Sequence, residues 1–255
     1  LTDQITIASS MNAPVGLTTD GNDAWVGSPF GDKSSVKTYN FNPTVSYKVN
    51  DMLSFGIGAQ IEFMQVELSN RTPAGVQFLG AKGDGFGFGF TAGVLFEPTD
   101  TTDIGIGFRS SVAQTLKGDG FVGAFNNNIS AKFSSPELLT VGIRQEVTDQ
   151  LSVMGGVEWA NWSRFKKLQI EGLPVPAENF AWKDSWYFSL GAEYAYNDML
   201  TLRTGIAYEK SPVPDATRSV RAPDNDRYWL SLGASYKFSD NMTANLAYSH
   251  VFMED

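Results

Sequence analysis

The sequence has no cysteine and a single histidine, His250, among its 255 residues. Disulfides and thiolate metal sites are therefore excluded, and the lone His250, with no companion ligand, reads as a surface or interfacial side chain. No window approaches eighteen consecutive apolar residues, which excludes a membrane-spanning helix. Basic stretches are missing too: 19 Lys and Arg stand against 28 Asp and Glu, a net charge of −9, so nothing is available to neutralise nucleic-acid phosphates. The chain opens at Leu1 beside a turn and shows no cationic, apolar leader, so either processing removed one or this is an internal piece of a longer protein. Constellations for catalysis are also absent. There is no Ser-His-Asp arrangement, no phosphate-cradling glycine loop and no metal-ligand cluster, so the reading is a non-enzyme without cofactor or metal.

What is present is a periodic turn. Asp-centred pairs recur at Thr2-Asp3, Asn50-Asp51, Thr99-Asp100, Thr148-Asp149, Asn197-Asp198 and Ser239-Asp240, the aspartates lying 48, 49, 49, 49 and 42 residues apart. Between successive turns lie two long segments of alternating polarity, joined by a longer loop rich in Gly, Pro, Asn and Ser. Short turn, long strand, long loop, long strand is the pattern of a transmembrane β-barrel.

The alternation is cleanest over residues 85–96, GFGFGFTAGVLF. Phe86, Phe88, Phe90, Ala92, Val94 and Phe96 share one face, and Gly87, Gly89, Thr91 and Gly93 the other. In 53–63, Leu53, Phe55, Ile57, Ala59, Ile61 and Phe63 oppose Ser54, Gly56, Gly58, Gln60 and Glu62. The segments around 103–110, 183–196, 199–209 and 227–238 repeat the scheme, and none carries a charge on its apolar face. A Lys or Arg on that face at the bilayer midplane would cost roughly 2–4 kcal/mol, so the absence suits contact with lipid. Ten residues tilted by about 45° cover about 24 Å, the height of an outer-membrane apolar band.

These patterns predict an all-β, transmembrane, antiparallel up-and-down barrel. Eleven strands are expected, near 4–13, 36–49, 52–66, 85–97, 103–115, 138–147, 151–160, 183–196, 199–209, 227–238 and 241–252. An odd number is unusual for a single-chain barrel and implies strands outside this chain. A kelch-type propeller also repeats near fifty residues, but with four short strands per period. A β-sandwich would show turns every 8–12 residues.

Several stretches resemble the FadL family of outer-membrane transporters of long-chain fatty acids and aromatic hydrocarbons. They are Asn12-Ala13-Pro14-Val15-Gly16-Leu17, Trp25-Val26-Gly27, Asn42-Pro43-Thr44-Val45-Ser46-Tyr47-Lys48 and Gly107-Phe108-Arg109-Ser110. Further on come Asn161-Trp162-Ser163-Arg164-Phe165, Ser211-Pro212-Val213-Pro214-Asp215 and Pro223-Asp224-Asn225-Asp226-Arg227-Tyr228-Trp229. The resemblance covers nearly the whole chain. It implies a monomeric barrel of about fourteen strands in the outer membrane of a Gram-negative bacterium, plugged by an N-terminal hatch. Residues 1–255 would then form one barrel domain lacking the hatch, the first strands and the last one. A loop over 70–84, long and helical in the fatty-acid transporter, is expected here as a short segment. The expected partners are outer-membrane lipid and a hydrophobic small molecule, a fatty acid or hydrocarbon.

Candidate site residues follow. Arg109 and Lys183 match the basic residues that the family uses for a ligand's polar head, and a carboxylate entering an apolar pocket must meet a cation or lose its charge. Pro14, inside a strand pattern with Ser10, Asn12 and Gly16, cannot donate to a ladder. The resemblance makes it an inward kink that opens the wall sideways, with residues 9–16 lacking a continuous ladder. Glu62, Glu158, Glu193, Arg203 and Arg227 fall on the lumen face as a polar network, with Glu193 and Arg203 placed to pair. Leu173-Pro174-Val175-Pro176, Val213-Pro214 and the segment 121–125 put apolar groups on the long-loop side. Trp25, Trp159, Trp162, Trp182 and Tyr228 are expected first as interfacial anchors. A structural or adhesive barrel and a general porin are the alternative functions.

Overall fold

In a computed structural model of the chain, residues 3–21 and 25–254 are described; Thr2 of the first turn lies outside them. The strands are β1 (Ile5–Asn12), β2 (Gly16–Asp20), β3 (Lys33–Asn50), β4 (Leu53–Arg71), β5 (Gln77–Thr99), β6 (Thr102–Arg109) and β7 (Ala113–Val122). They continue as β8 (Phe125–Ser134), β9 (Leu138–Thr148), β10 (Leu151–Ala160), β11 (Lys167–Leu168), β12 (Ile170–Glu171) and β13 (Glu178–Asn179). Last come β14 (Ser185–Ala195), β15 (Leu200–Lys210), β16 (Arg227–Ser239) and β17 (Met242–Met253). One antiparallel sheet runs β1-β3-β4-β5-β6-β9-β10-β14-β15-β16-β17, and no pairing among the described residues joins β17 back to β1.

Side chains at the predicted turns close the short connections. Asn50 Oδ1 accepts from Met52 N (2.9 Å), Thr148 Oγ1 from Leu151 N (3.0 Å), and Asn197 Oδ1 from both Met199 N (2.9 Å) and Leu200 N (2.8 Å). Asn and Thr do this because their short polar side chains reach backbone groups two or three residues on. The apolar rows face outward with no second layer over them: Phe86 is 65% exposed, Phe88 72%, Ile57 69% and Ile206 57%. A sandwich or helical layer would have covered them. Only a lipid solvent explains such rows on so many strands at once.

Three of the eleven wall strands are interrupted. β2 continues β1 along β3, β7 continues β6 along β5, and β8 continues β9 beside β7. Three predicted boundaries change as a result. The segment expected over 103–115 breaks after Arg109 and resumes at Ala113, and the one expected over 138–147 is preceded by a further strand, β8, where no strand is expected. The loop expected over 70–84 is mostly strand, because β4 and β5 extend past the membrane band and meet in a turn over 72–76. Leu68 and Ala81 are register partners in that extension, with their faces turned to the interior.

The jog at 110–112 explains the glycine side of GFGFGF. A Cβ on Gly85 would lie 2.7 Å from Thr115 O, one on Gly87 2.5 Å from Val112 Cγ1 and 2.8 Å from Ala113 O, and one on Gly89 2.6 Å from Ser110 Oγ. The displaced segment thus lies directly on the inner face of β5, and only glycine lets it approach so closely. Gly87→Val should therefore overpack the wall and destabilise by about 1–3 kcal/mol, whereas Phe88→Leu on the lipid side should be tolerated. The fraction of full-length protein running as folded barrel on an unheated gel measures both; an unaffected Gly87→Val would contradict this packing.

Candidate functional site

Above the jogs the interior holds a cavity of about 610 Å³. Its wall is built by Leu17 of β2, Val36 of β3, Met64, Val66 and Leu68 of β4, Leu116 of β7, and Ile129, Ala131 and Phe133 of β8. The connection between β10 and β14 adds Trp162, Phe165, Leu168, Ile170, Phe180 and Trp182. Four of those aromatics interlock: Phe165 lies 4.7 Å from Phe180 and 5.1 Å from Trp182, and Trp162 lies 5.0 Å from Trp182, ring centre to ring centre. Offset and edge-on pairs of this kind are favourable beyond their buried area, so the loop is a preformed greasy wall. Trp162 and Trp182, expected as interfacial anchors, thus belong to the cavity. Trp159 instead donates to Asp184 (3.1 Å), and Tyr228 sits exposed beside Tyr208.

The cavity ends at a sharp change of polarity. Val36, Met64 and Leu116 are its deepest members on β3, β4 and β7; the next inward side chains on the latter two strands are Glu62 and Gln114. Asn40 donates to Glu62 (3.2 Å) and to Gln60 (3.3 Å), Gln114 donates to Glu62 (2.8 Å), and Arg109 donates to Gln60 (2.6 Å). Asn40, Gln60 and Glu62 are each 1% exposed. Hydrogen bonds to a buried carboxylate contribute roughly 1.5–3 kcal/mol each, which makes this polar ledge costly to displace.

The wall interruption between β1 and β2 sits at the same depth. Asn12 pairs with Asn40 and Gly16 with Lys37, so Ala13, Pro14 and Val15 oppose only Thr38 and Tyr39. Thr38 Oγ1 fills the break, accepting from Val15 N (3.1 Å) and donating to Val15 O (2.5 Å). The ladder gap is therefore shorter than the 9–16 expected: Ser10 pairs with Asn42, and Asn12 and Gly16 are also paired. The reason is that only Pro14 lacks an N–H, and one hydroxyl suffices to replace the lost pair. Pro14, Val15 and Gly16 line the cavity.

Other predicted residues are spread out. Arg109 belongs to the ledge, beneath the cavity. Lys183 donates its backbone N–H to Pro212 O (2.8 Å) and has an exposed side chain; neither basic residue lines the cavity. Glu193 and Arg203 are register partners and pair at 2.6 Å, Thr140 donates to Glu158 (3.0 Å), and Arg227 pairs with Asp224 and lies 3.5 Å from Glu209. Glu158 acts electrostatically on Arg109, as Glu62 does, whereas Glu193 and Arg203 pair with each other and Arg227 with Asp224. Val213 lines the cavity roof, while Leu173 packs near Gly120.

One residue that sequence reasoning missed is Arg221. From the loop between β15 and β16 it reaches β3 and β4, donating to Ser34 Oγ (2.9 Å), to Lys33 O (3.3 Å) and to Asn70 Oδ1, with Glu178 3.5 Å away. Thr19 donates to Arg221 O (3.2 Å) and Thr217 to Phe180 O (2.5 Å), so the loop is strapped over the cavity. No local pattern announces this, because the acceptors Ser34 and Asn70 lie more than 150 positions away.

A family model described as outer membrane protein transport protein (OMPP1/FadL/TodX) matches residues 1–255. The long-chain fatty acid transport protein of Escherichia coli O6:H1 is 29% identical, with 90% of this chain and 62% of that protein aligned. Outer membrane protein P1 of Haemophilus influenzae is 26% identical over 98% of this chain and 63% of its own length. The chain thus spans just over three-fifths of the curated relatives it matches. Among solved structures, that of a Pseudomonas aeruginosa FadL homologue superposes with a TM-score of 0.91 at 24% identity, covering 100% of this chain and 68% of the other. The Ralstonia pickettii toluene transporter TbuX gives 0.73 at 18% identity, covering 98% and 73%.

Burial pushes the Glu178 carboxyl above its ordinary value, and the opposing pull of Arg221 does not cancel it. The raised value means that folding favours the protonated acid; that contribution is complete below the ordinary carboxylate range and is lost as pH rises through the shifted one. Arg221 is held to the wall chiefly by its hydrogen bonds to Ser34, Lys33 and Asn70, against one longer contact to Glu178. Glu178→Gln should leave the strap closed at neutral pH and remove its pH dependence, whereas Arg221→Ala should cost about 3 kcal/mol. Trypsin cleavage near Arg218 as a function of pH reads both, and equal protection of Arg221→Ala and the parent would contradict the assignment.

Proposed function

The chain belongs to the OMPP1/FadL/TodX family of outer membrane transport proteins, and on that basis we propose that it forms the ligand-holding wall of a passive channel for hydrophobic compounds. The observation that carries this reading is one apolar cavity whose lining runs from the loop aromatics Phe165 and Trp182 down to Pro14, Val15 and Gly16 in the wall. A molecule captured among those aromatics exchanges water for apolar contacts, roughly 25 cal/mol for each Å² buried. Beneath it lies the Glu62 ledge, which an apolar chain enters only by breaking charge-assisted hydrogen bonds. Beside it lies the Pro14 interruption, beyond which is hydrocarbon. Sideways release is thus the path of least desolvation, and a water-filled route to the periplasm is not needed.

The ligand is a fatty acid or an aromatic hydrocarbon. For an acid's polar end, the lining residues Arg221 and Arg227 offer nearer partners than Arg109 or Lys183. The full-length protein in vesicles should transfer a fluorescent long-chain fatty acid and toluene across the wall, and should not pass a sugar. Gly16→Trp, which fills the interruption from a position with free space (the nearest atom to a Cβ there is 3.8 Å away), should abolish most transfer but retain binding. Sugar permeation would favour a porin. Transfer no faster than in protein-free vesicles would reject transport.

A further inference from the structure

The apolar cavity has a fixed bottom, and its position is set by Met64 and the side chains around it. Thr38 and Met64 are register partners on β3 and β4, and Met64 is opposite Gly85 on β5. Met64 is wholly buried. Val36 and Leu116 flank it in the lining. One register step deeper, Asn40 is opposite Glu62 and Glu62 is opposite Gly87, over which the jogged segment brings Val112 and Gln114. The floor is also held by hydrogen bonds between the two jogs. Val112 donates its N–H to Ser135 Oγ (3.0 Å), and Ser111 donates to Ser135 O (2.7 Å), so the jogs of two neighbouring strands are tied together.

We infer that Met64, backed by the Glu62–Gln114 ledge, is the residue that determines how long an apolar chain the cavity accepts. The inference rests on the reading that the cavity holds such a chain, and deepens it to a length-selective site. A chain with its polar end among the rim charges extends downward until its terminal methyl reaches the layer that the buried Met64 side chain fills. A longer chain must bend toward Val15 or leave its head unpaired. A shorter one forgoes apolar contact, about fourfold in affinity for each methylene not buried. The binding profile against chain length therefore has a maximum instead of rising steadily with hydrophobicity.

The experiment uses the full-length protein in detergent and a fluorescent fatty acid displaced by a homologous series of saturated fatty acids. Met64→Ala removes three heavy atoms from the floor and moves the preferred length up by about two carbons, the longer acids gaining about fourfold for each added carbon accommodated. Val36→Phe, from the layer just above Met64, moves it down. Leu68→Ala, near the rim, leaves it unchanged. Should Met64→Ala fail to fold, Leu116→Ala tests the same layer with the same expected direction. An unshifted maximum in folded floor variants, or an equal shift in Leu68→Ala, overturns the assignment while leaving the cavity as the binding site. If the parent protein binds no member of the series, the reading of the cavity and the length rule both fall.

Discussion

Inside a bilayer no water is available to an unpaired backbone group, so every N–H and C=O of a spanning segment must find a partner within the protein. This constraint explains why the chain is almost all long strand, and it explains how the strands depart from regularity. Wherever the wall breaks, a small polar side chain takes over the lost ladder bonds. Thr38 serves Val15, Ser110 Oγ accepts from Phe90 N (2.8 Å), Ser135 Oγ accepts from Val112 N, and Gln60 donates to Phe90 O (2.9 Å) and Ser110 O (3.2 Å). The interruptions are repaired locally, which lets the wall bend without exposing bare amides to lipid.

The same repairs create the functional geometry. Because residues 110–116 lie inward over Gly85, Gly87 and Gly89, the lumen beside β3–β5 is filled, and its polar side chains are buried against one another instead of lining a water channel. Above that fill the inward residues become apolar and the cavity begins. The Pro14 interruption meets the cavity at this boundary. Wall defect, polar floor and apolar pocket thus follow from one placement of a few glycines, serines and a proline, and the proposed sideways release depends on their being at one depth.

Much of this was legible in the residues, and what was not has a physical reason. Alternation shows which face meets lipid because its period is two and its solvent is uniform; Phe86, Phe88 and Phe90 could hardly be read another way. The Asp turns are legible because their hydrogen bonds span two or three residues. The jogs at 110–112 and 135–137 were not, since serine and proline there look like an ordinary strand end or loop, and only the paired bonds to Ser135 distinguish them. Nor could spacing assign Trp162 and Trp182, because an interfacial girdle and a pocket wall demand the same amphipathic ring. Arg221 was invisible for a third reason: its partners come from strands remote in sequence, and a surface arginine in a loop has no local signature.

The central claim is that an apolar chain rests on the Met64 floor beside the Val15 interruption, with polar side chains closing the way beneath. Its most direct test is a crystal structure of the full-length protein soaked with a fatty acid brominated at its terminal carbon. Anomalous signal from bromine should lie within the cavity against Met64 or at Val15. Bromine found below Glu62, among Arg109 and Gln60, or only on the outer surface, would contradict the account.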